Sequence, residues 1–392
     1  MYHTALFWGS FLLRNKLLFQ CSRLRVVAGL GTAAAVTWVT CRRETIPAFP
    51  DGILKITCVG TSMGTAAVLA WVVWRRQRRP VLPDKWEEVG EVCDMTIYPL
   101  KSGRGVMVTE GEATPWGLAS GELQDRCFMV VLVSTGTFVT GRQAEELLDV
   151  KLTFSSGVIT LESKEAFTFK HNLKSNLRHP KVMDSKIWGE PVRGVDCGDE
   201  VAEWLSNVLY KGKEEVRLIY KADVMERRPP RRLTYYDFPQ IRDTDTLYYA
   251  DTSAFLITSQ SSLEDLNHRL LHPIKMANFR PNIVVSGAPP FQEDDWLYIR
   301  IGRAVFRKIK PCERCLLTTV DTDSGKRHPT QEPLTTLRSY RLLKEPSDLA
   351  KVWATKPVFG CHFAIDVRGP VAVGDKVFVA TATANSTFSI FN

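Results

Sequence analysis

The sequence predicts a β-rich α+β body of two units, preceded by a transmembrane helix. Three observations carry that expectation. Short runs rich in Val, Ile, Thr and aromatic residues recur from residue 91 onward, separated by Gly, as in sandwiches and barrels of many short strands. An apolar face of helical period is clearest over residues 199–210, where Val201, Trp204, Leu205, Val208 and Leu209 line up. Between the units, residues 223–240 carry Arg227-Arg-Pro-Pro-Arg-Arg232, with neither periodicity nor apolar content, and read as an exposed linker loop.

The first unit takes strands at residues 91–100, 111–115, 128–133, 137–140, 151–154, 158–161 and 192–195, then the 199–210 helix. In the second, Ser262-Leu-Glu-Asp265 reads as a capping-box variant opening a helix to about Leu271. Strands are expected at 282–286, 296–301, 305–309, 316–320 and 377–380, and a helix at 334–343. Asp323-Ser-Gly325 and Val373-Gly-Asp375 are turn signals. The division is 1–52 for a targeting segment, 53–79 for an anchor and its basic flank, 85–222 and 246–383 for the two units, and 223–245 for the linker.

Composition is ordinary for a globular chain: 392 residues, 44% hydrophobic and 24% charged, which excludes a collagen, a disordered tail protein or a polytopic transporter. The net charge of +8 invites a nucleic-acid reading, but its distribution argues against one. Residues 1–79 hold eleven Lys/Arg against Glu44 and Asp51, whereas the rest of the chain holds 40 basic against 41 acidic residues. No nucleic-acid partner is expected.

The basic segment has a different reading. No acid precedes Glu44, as in mitochondrial targeting segments. Residues 56–74 are uncharged, and a helix of that length spans about 28 Å, close to a bilayer's hydrocarbon core. Trp71 and Trp74 sit near its end, and Arg75, Arg76, Arg78 and Arg79 follow, a cluster that stays on the cytoplasmic side. A second apolar run, residues 26–41, reads as a span, a re-entrant segment or part of the targeting signal.

Nine cysteines without a framework spacing argue against structural disulfides. Only Cys312-Glu-Arg-Cys315 has a chemical spacing. A zinc site needs a second pair, and His328, Cys361 and His362 do not form one by spacing. A thioredoxin-like pair opens a helix, whereas Leu316-Leu-Thr-Thr-Val320 reads as a strand. A third reading is a single thiolate for a soft-binding metal, with Lys310 and Arg314 supplying the electropositive surroundings that deprotonation needs. Lys, Arg, amides and hydroxyls suited to an anionic cofactor recur elsewhere at predicted strand ends.

Those segments are Tyr98-Pro-Leu-Lys-Ser102, Asp125-Arg126, Thr140-Gly-Arg-Gln143, Asp251-Thr-Ser-Ala-Phe-Leu256, Asn278-Phe-Arg-Pro-Asn282 and Pro311-Cys-Glu-Arg-Cys-Leu-Leu-Thr-Thr319. In this order, over about residues 85–380, they resemble the motifs of the MOSC family, specifically its amidoxime-reducing branch. The resemblance implies a β-barrel-like N-terminal MOSC unit packed on a MOSC β-barrel domain, with a molybdenum–molybdopterin cofactor between them. It implies Cys315 as metal ligand and catalytic centre. Lys101, Ser102, Arg126, Thr252, Ser253, Arg280, Asn282 and Arg314 fall at positions expected to hold the pterin and its phosphate. Cys312 is expected in a structural role beside the ligand. Gly103-Arg104, Gly141, Ala254 and Phe359-Gly-Cys-His362 depart from the family pattern.

The implied activity is reduction of N-hydroxylated compounds such as amidoximes and N-hydroxyguanidines, with nitrite a further candidate. Electrons would come from NADH through cytochrome b5 reductase and cytochrome b5, since the chain has no haem or dinucleotide motif of its own. Arg227–Arg232 is an expected docking surface for acidic cytochrome b5. The implied location is the mitochondrial outer membrane, with the body in the cytosol. The alternatives are a MOSC-type sulfur carrier and a molybdenum-cofactor store or adaptor.

Overall fold

The computed structural model describes residues 24–31, 34–41, 82–221 and 238–381. The chain divides after Val81 into two units. In the first, Leu24–Gly31 and Ala34–Cys41 pair as antiparallel strands, Leu24 opposite Cys41, so the described residues of the 26–41 run are strands and not a helical span. The expected anchor at 56–74 and the Arg227–Arg232 stretch lie outside the described residues. Among the described residues no helix is long and apolar enough to cross a membrane.

The second unit is organised by two closed barrels. Its first long strand, β1 (Glu87–Ile97), buries Val92, Met95 and Ile97, a period-2 pattern that slips by one residue between Val92 and Met95, where the pairing register shifts. The chain then builds a small barrel from β2 (Phe128–Leu132), β3 (Thr137–Phe138), β4 (Val182–Ile187), β5 (Glu190–Asp196) and β6 (Val216–Tyr220), ordered β4-β5-β6-β2-β3 and closed by the parallel β3–β4 pair. Phe128-Met-Val-Val131 is buried on both faces, which explains its unbroken apolar run. Met129, Val131, Ile187 and Ile219 form one cluster with Tyr249. Phe128, Val130 and Leu218 pack instead with the Asp199–Tyr210 helix and the Lys151–Ser155, Val158–Ser163 and Ala166–Asn172 sheet.

The chain then returns to β1. β7 (Phe255–Ser259), β8 (Ile283–Ser286), β9 (Trp296–Ile301), β10 (Ala304–Glu313), β11 (Val358–Val367) and β12 (Lys376–Thr381) run in the order β8-β7-β11-β10-β9-β12-β1, and β1 pairs with β8 to close the ring. Trp296, Ile299, Phe306, Phe255 and Phe363 fill its core with Met95 and Ile97 of β1. The sheet of the C-terminal half therefore includes the first strand of the N-terminal half. The halves are further laced by Tyr249, whose ring joins the small barrel's cluster and whose hydroxyl donates to Arg193 O at 2.9 Å.

Three local expectations are corrected. Residues 316–320 are not a strand: Leu316–Thr319 is a one-turn 3-10 helix, because the Thr318 hydroxyl bonds back to Cys315 O at 2.9 Å and Thr319 to Leu316 O at 2.7 Å, competing with a ladder. Ser262 does not cap a helix; the helix is Gln260–Arg269, and the Ser262 hydroxyl meets the buried Glu293 carboxyl at 2.8 Å. The 334–343 helix ends at Tyr340, where Arg341 turns inward to Asp294, 2.6 Å away.

Candidate active site

A cleft with about 160 Å³ of free space opens where the ends of both barrels converge. Its floor begins with Asp125, whose buried carboxylate accepts from Tyr98 N and Asn282 Nδ2, each at 2.8 Å, and pairs with Arg126. Asn282 also donates to Thr96 O at 3.2 Å and accepts from Leu256 N at 3.1 Å. Two polar side chains thus tie the ends of β1, β7 and β8 together beneath the cleft. Burial pushes the Asp125 carboxyl up against the opposing pull of Arg126.

Above that clamp the Tyr98 ring meets two guanidiniums, Arg280 at 4.3 Å and Arg126 at 4.7 Å from its centroid. Burial pushes the Tyr98 phenol up to about 12 and the Arg280 guanidinium down to about 10. Ser102, Arg126 and Arg280 all adopt left-handed backbone angles, with φ of 65°, 47° and 56°. Such angles cost non-glycine residues of order 1 kcal/mol each and cluster at functional sites. All three line the cleft.

Lys101 is buried; its ammonium donates to Tyr249 O at 2.8 Å and pairs with Asp251. Asp251 also accepts from Trp188 Nε1 at 2.8 Å. Trp188 and Gly189, with φ of 51° and 90°, form the tight β4–β5 turn that such paired positive angles favour. The turn brings the indole to the cleft rim, where Arg142 lies 5.0 Å from its ring centre. Thr140 donates to Gln143 Oε1 at 2.8 Å, shaping the turn that carries Arg142.

Cys315 is exposed and lines the cleft. The 3-10 turn that follows it is held by Asn278, whose Nδ2 donates to Thr318 O at 3.1 Å and Val320 O at 3.0 Å. Cys312 is buried in β10, and desolvation pushes its thiol up. Among the described residues no three His, Cys, Asp or Glu side chains converge to hold a metal.

Of the nine predicted residues, Cys315, Lys101, Ser102, Arg126, Thr252, Ser253, Arg280 and Asn282 line this one cleft. Arg314 does not. Its guanidinium is buried and donates to Phe359 O and Phe279 O, each at 2.9 Å. The Ser253 hydroxyl is turned to Phe255 O and to His362 Nδ1, each at 2.8 Å. Sequence reasoning missed Trp188, whose signal was the Trp-Gly pair between two strand-like runs, and left His362 without a role.

The donor set suits a large anionic ligand. Arg280 has no ion-pair or side-chain hydrogen-bond partner among the described residues, and its desolvation lowers the cost of meeting a phosphate. A pterin phosphate with a sulfur-ligated metal fits the combination of Arg280, Arg142 and an accessible thiol.

Residues 89–212 match the family model described as the MOSC N-terminal beta barrel domain, and residues 244–378 the MOSC domain. The chain belongs to the MOSC-domain family. Among curated MOSC relatives, it is 38% identical to mitochondrial amidoxime-reducing component 1 of Mus musculus over 75% of this chain and 83% of that one. It is 38% identical to the Homo sapiens protein of the same name over 75% and 84%. It is 39% identical to mitochondrial amidoxime reducing component 2 of Macaca fascicularis over 74% and 84%.

Proposed function

We propose that this protein is a mitochondrial molybdenum-cofactor reductase of N-hydroxylated compounds, amidoximes among them. The observation that carries the reading is the Cys315 thiol open to a cleft that is also lined by Arg280, a guanidinium with no ion-pair partner among the described residues. Cys315 would ligate the metal, while Arg280, Arg126, Ser102 and Thr252 would hold the pterin and its phosphate. When bound, the cofactor supplies two-electron oxygen-atom chemistry at a sulfur-ligated metal.

The chain's own contribution is placement. Asp125 and Asn282 fix the floor, and Asn278 and Arg314 fix the turn that presents Cys315. Trp188 and Arg142, 5.0 Å apart from guanidinium to ring centre, line the same cleft. Electrons would arrive from cytochrome b5 and its NADH-dependent reductase, with Arg227–Arg232 as the docking stretch, and the body would lie on the cytosolic side of the outer membrane.

The test is the molybdenum content of the full chain, with reduction of an amidoxime by an artificial donor, for the parent and Cys315→Ser made in a cofactor-competent host. The parent should carry molybdenum and turn over; Cys315→Ser should lose turnover at least a hundredfold while keeping its circular dichroism spectrum. A parent without molybdenum sinks the reading. Cyanide-labile sulfur on Cys315 in its place would favour a sulfur carrier.

A further inference from the structure

His362 lines the cleft that holds Cys315. β11 sets it opposite Leu256 of β7 and Lys310 of β10. Its Nδ1 lies 2.8 Å from the Ser253 hydroxyl, which in turn lies 2.8 Å from the Phe255 carbonyl oxygen. A hydroxyl has one proton and a carbonyl only accepts. The Ser253 proton therefore goes to Phe255, and the Ser253 oxygen accepts from His362 Nδ1–H.

A neutral imidazole has a single N–H, so Nε2 carries a lone pair. Burial, with Lys310, Arg314 and Arg126 nearby, holds this ring neutral. Nε2 has no hydrogen-bond partner among the described residues, and it is not among their sealed, partnerless atoms. The cationic groups lining the cleft, Lys101, Arg126, Arg142 and Arg280, can only donate.

We propose that His362 is the substrate-selecting residue of this cleft, its Nε2 accepting the hydroxyl hydrogen of a bound N–OH group. This rests on the N-hydroxylated substrate class proposed above and adds how the cleft recognises it. A substrate with a hydroxyl or N–H donor gains a partner in a desolvated site. One whose oxygen is alkylated, or an anion without a hydrogen, sets lone pair against lone pair there. Sites built to bond a hydroxyl reject the analogue that lacks it. Ser253 acts through His362 as a positioning residue.

The experiment uses the full-length protein loaded with its cofactor, and binding of benzaldoxime and its O-methyl ether, neither of which carries an N–H, by equilibrium dialysis. The parent should prefer the free hydroxyl about tenfold. His362→Phe should bring that preference below twofold, and His362→Gln, which keeps an acceptor, should recover part of it. Nitrogen-15 spectra of histidine-labelled protein should show His362 protonated at Nδ1, and Ser253→Ala should shift the signal toward the other tautomer. A preference unchanged in a folded His362→Phe protein, or a parent ring protonated at Nε2, overturns the inference. A parent that binds both ligands equally also overturns it. Failure of the loaded parent to reduce any amidoxime is a separate result, which counts against the substrate class.

Discussion

Arg314 holds the main-chain carbonyl of Phe359, its Nε 2.9 Å from the oxygen. The same guanidinium reaches Phe279 O at 2.9 Å, and the two phenylalanine rings stack 3.9 Å apart. The residue preceding the exposed cysteine is thus a brace between β11 and the segment entering β8. Planar, forked donation is what Lys cannot reproduce. Arg314→Lys should lower stability by about 2 kcal/mol, the scale of charge-assisted bonds, measured by chemical denaturation. It should also loosen the turn after Cys315, read as faster alkylation of that thiol. Unchanged alkylation with lowered stability would leave Arg314 a fold residue without influence on the cleft.

Tyr249 and Gly194 make a second pairing that joins the halves. A Cβ built on Gly194 would lie 2.3 Å from the Tyr249 hydroxyl and 2.9 Å from Ile219 Cβ. Gly194→Ala should therefore destabilise by about 1–3 kcal/mol, as overpacking does. Tyr249→Phe loses one bond to Arg193 O and should cost about 1 kcal/mol. In the double variant the penalties should fall short of additive, because the phenol oxygen that collides is gone. Strict additivity in a denaturation cycle would mean the strain is taken up at Ile219.

The proposed docking stretch is tested through rate and salt. Arg227, Arg228, Arg231 and Arg232 fall within six residues. Replacing all four with Gln should cut the cytochrome-driven rate several-fold at low ionic strength while leaving the artificial-donor rate intact. The parent's rate should fall with added salt, and the variant's should not, since steering between charged surfaces is screened over about 10 Å at 0.1 M. Equal salt dependence in both proteins would place the donor elsewhere.

Sequence reading succeeded where one short-range signal agreed with the fold. Residues 199–210 form the predicted helix end to end, because Val201, Leu205, Val208 and Leu209 recur on one face and Lys211 turns left-handed after it. It failed where side chains serve distant partners. The Ser262 hydroxyl meets Glu293, and Thr318 bonds back on its own loop. β11 escaped notice because Gly360 interrupts it. At φ +69°, with a Cβ position 2.5 Å from Thr258 Cγ2, that residue has to be glycine. In the cleft, the motifs named residues that converge, but not which way each one points. Arg314 faces backbone, Ser253 faces His362, and Trp188 arrives from a hairpin outside any motif.

Glu293 makes a prediction about pH. Its carboxyl is fully buried with Ser262, next to Asp294, which pairs with Arg341. Burial, and secondarily the Asp294 charge, push it up from 4.5 to about 7. For an acid raised in the folded state, the native form binds more protons than the unfolded chain between those values, so stability falls as pH rises. The loss should begin near pH 4.5, be largely complete by about pH 7, and reach a few kcal/mol. Glu293→Gln removes the titration and should flatten that part of the stability–pH curve. The readout is urea denaturation of parent and variant at pH 5, 6, 7 and 8. Parallel curves would mean that Glu293 stays ionised in the folded protein, held by the Ser262 hydroxyl and Arg341.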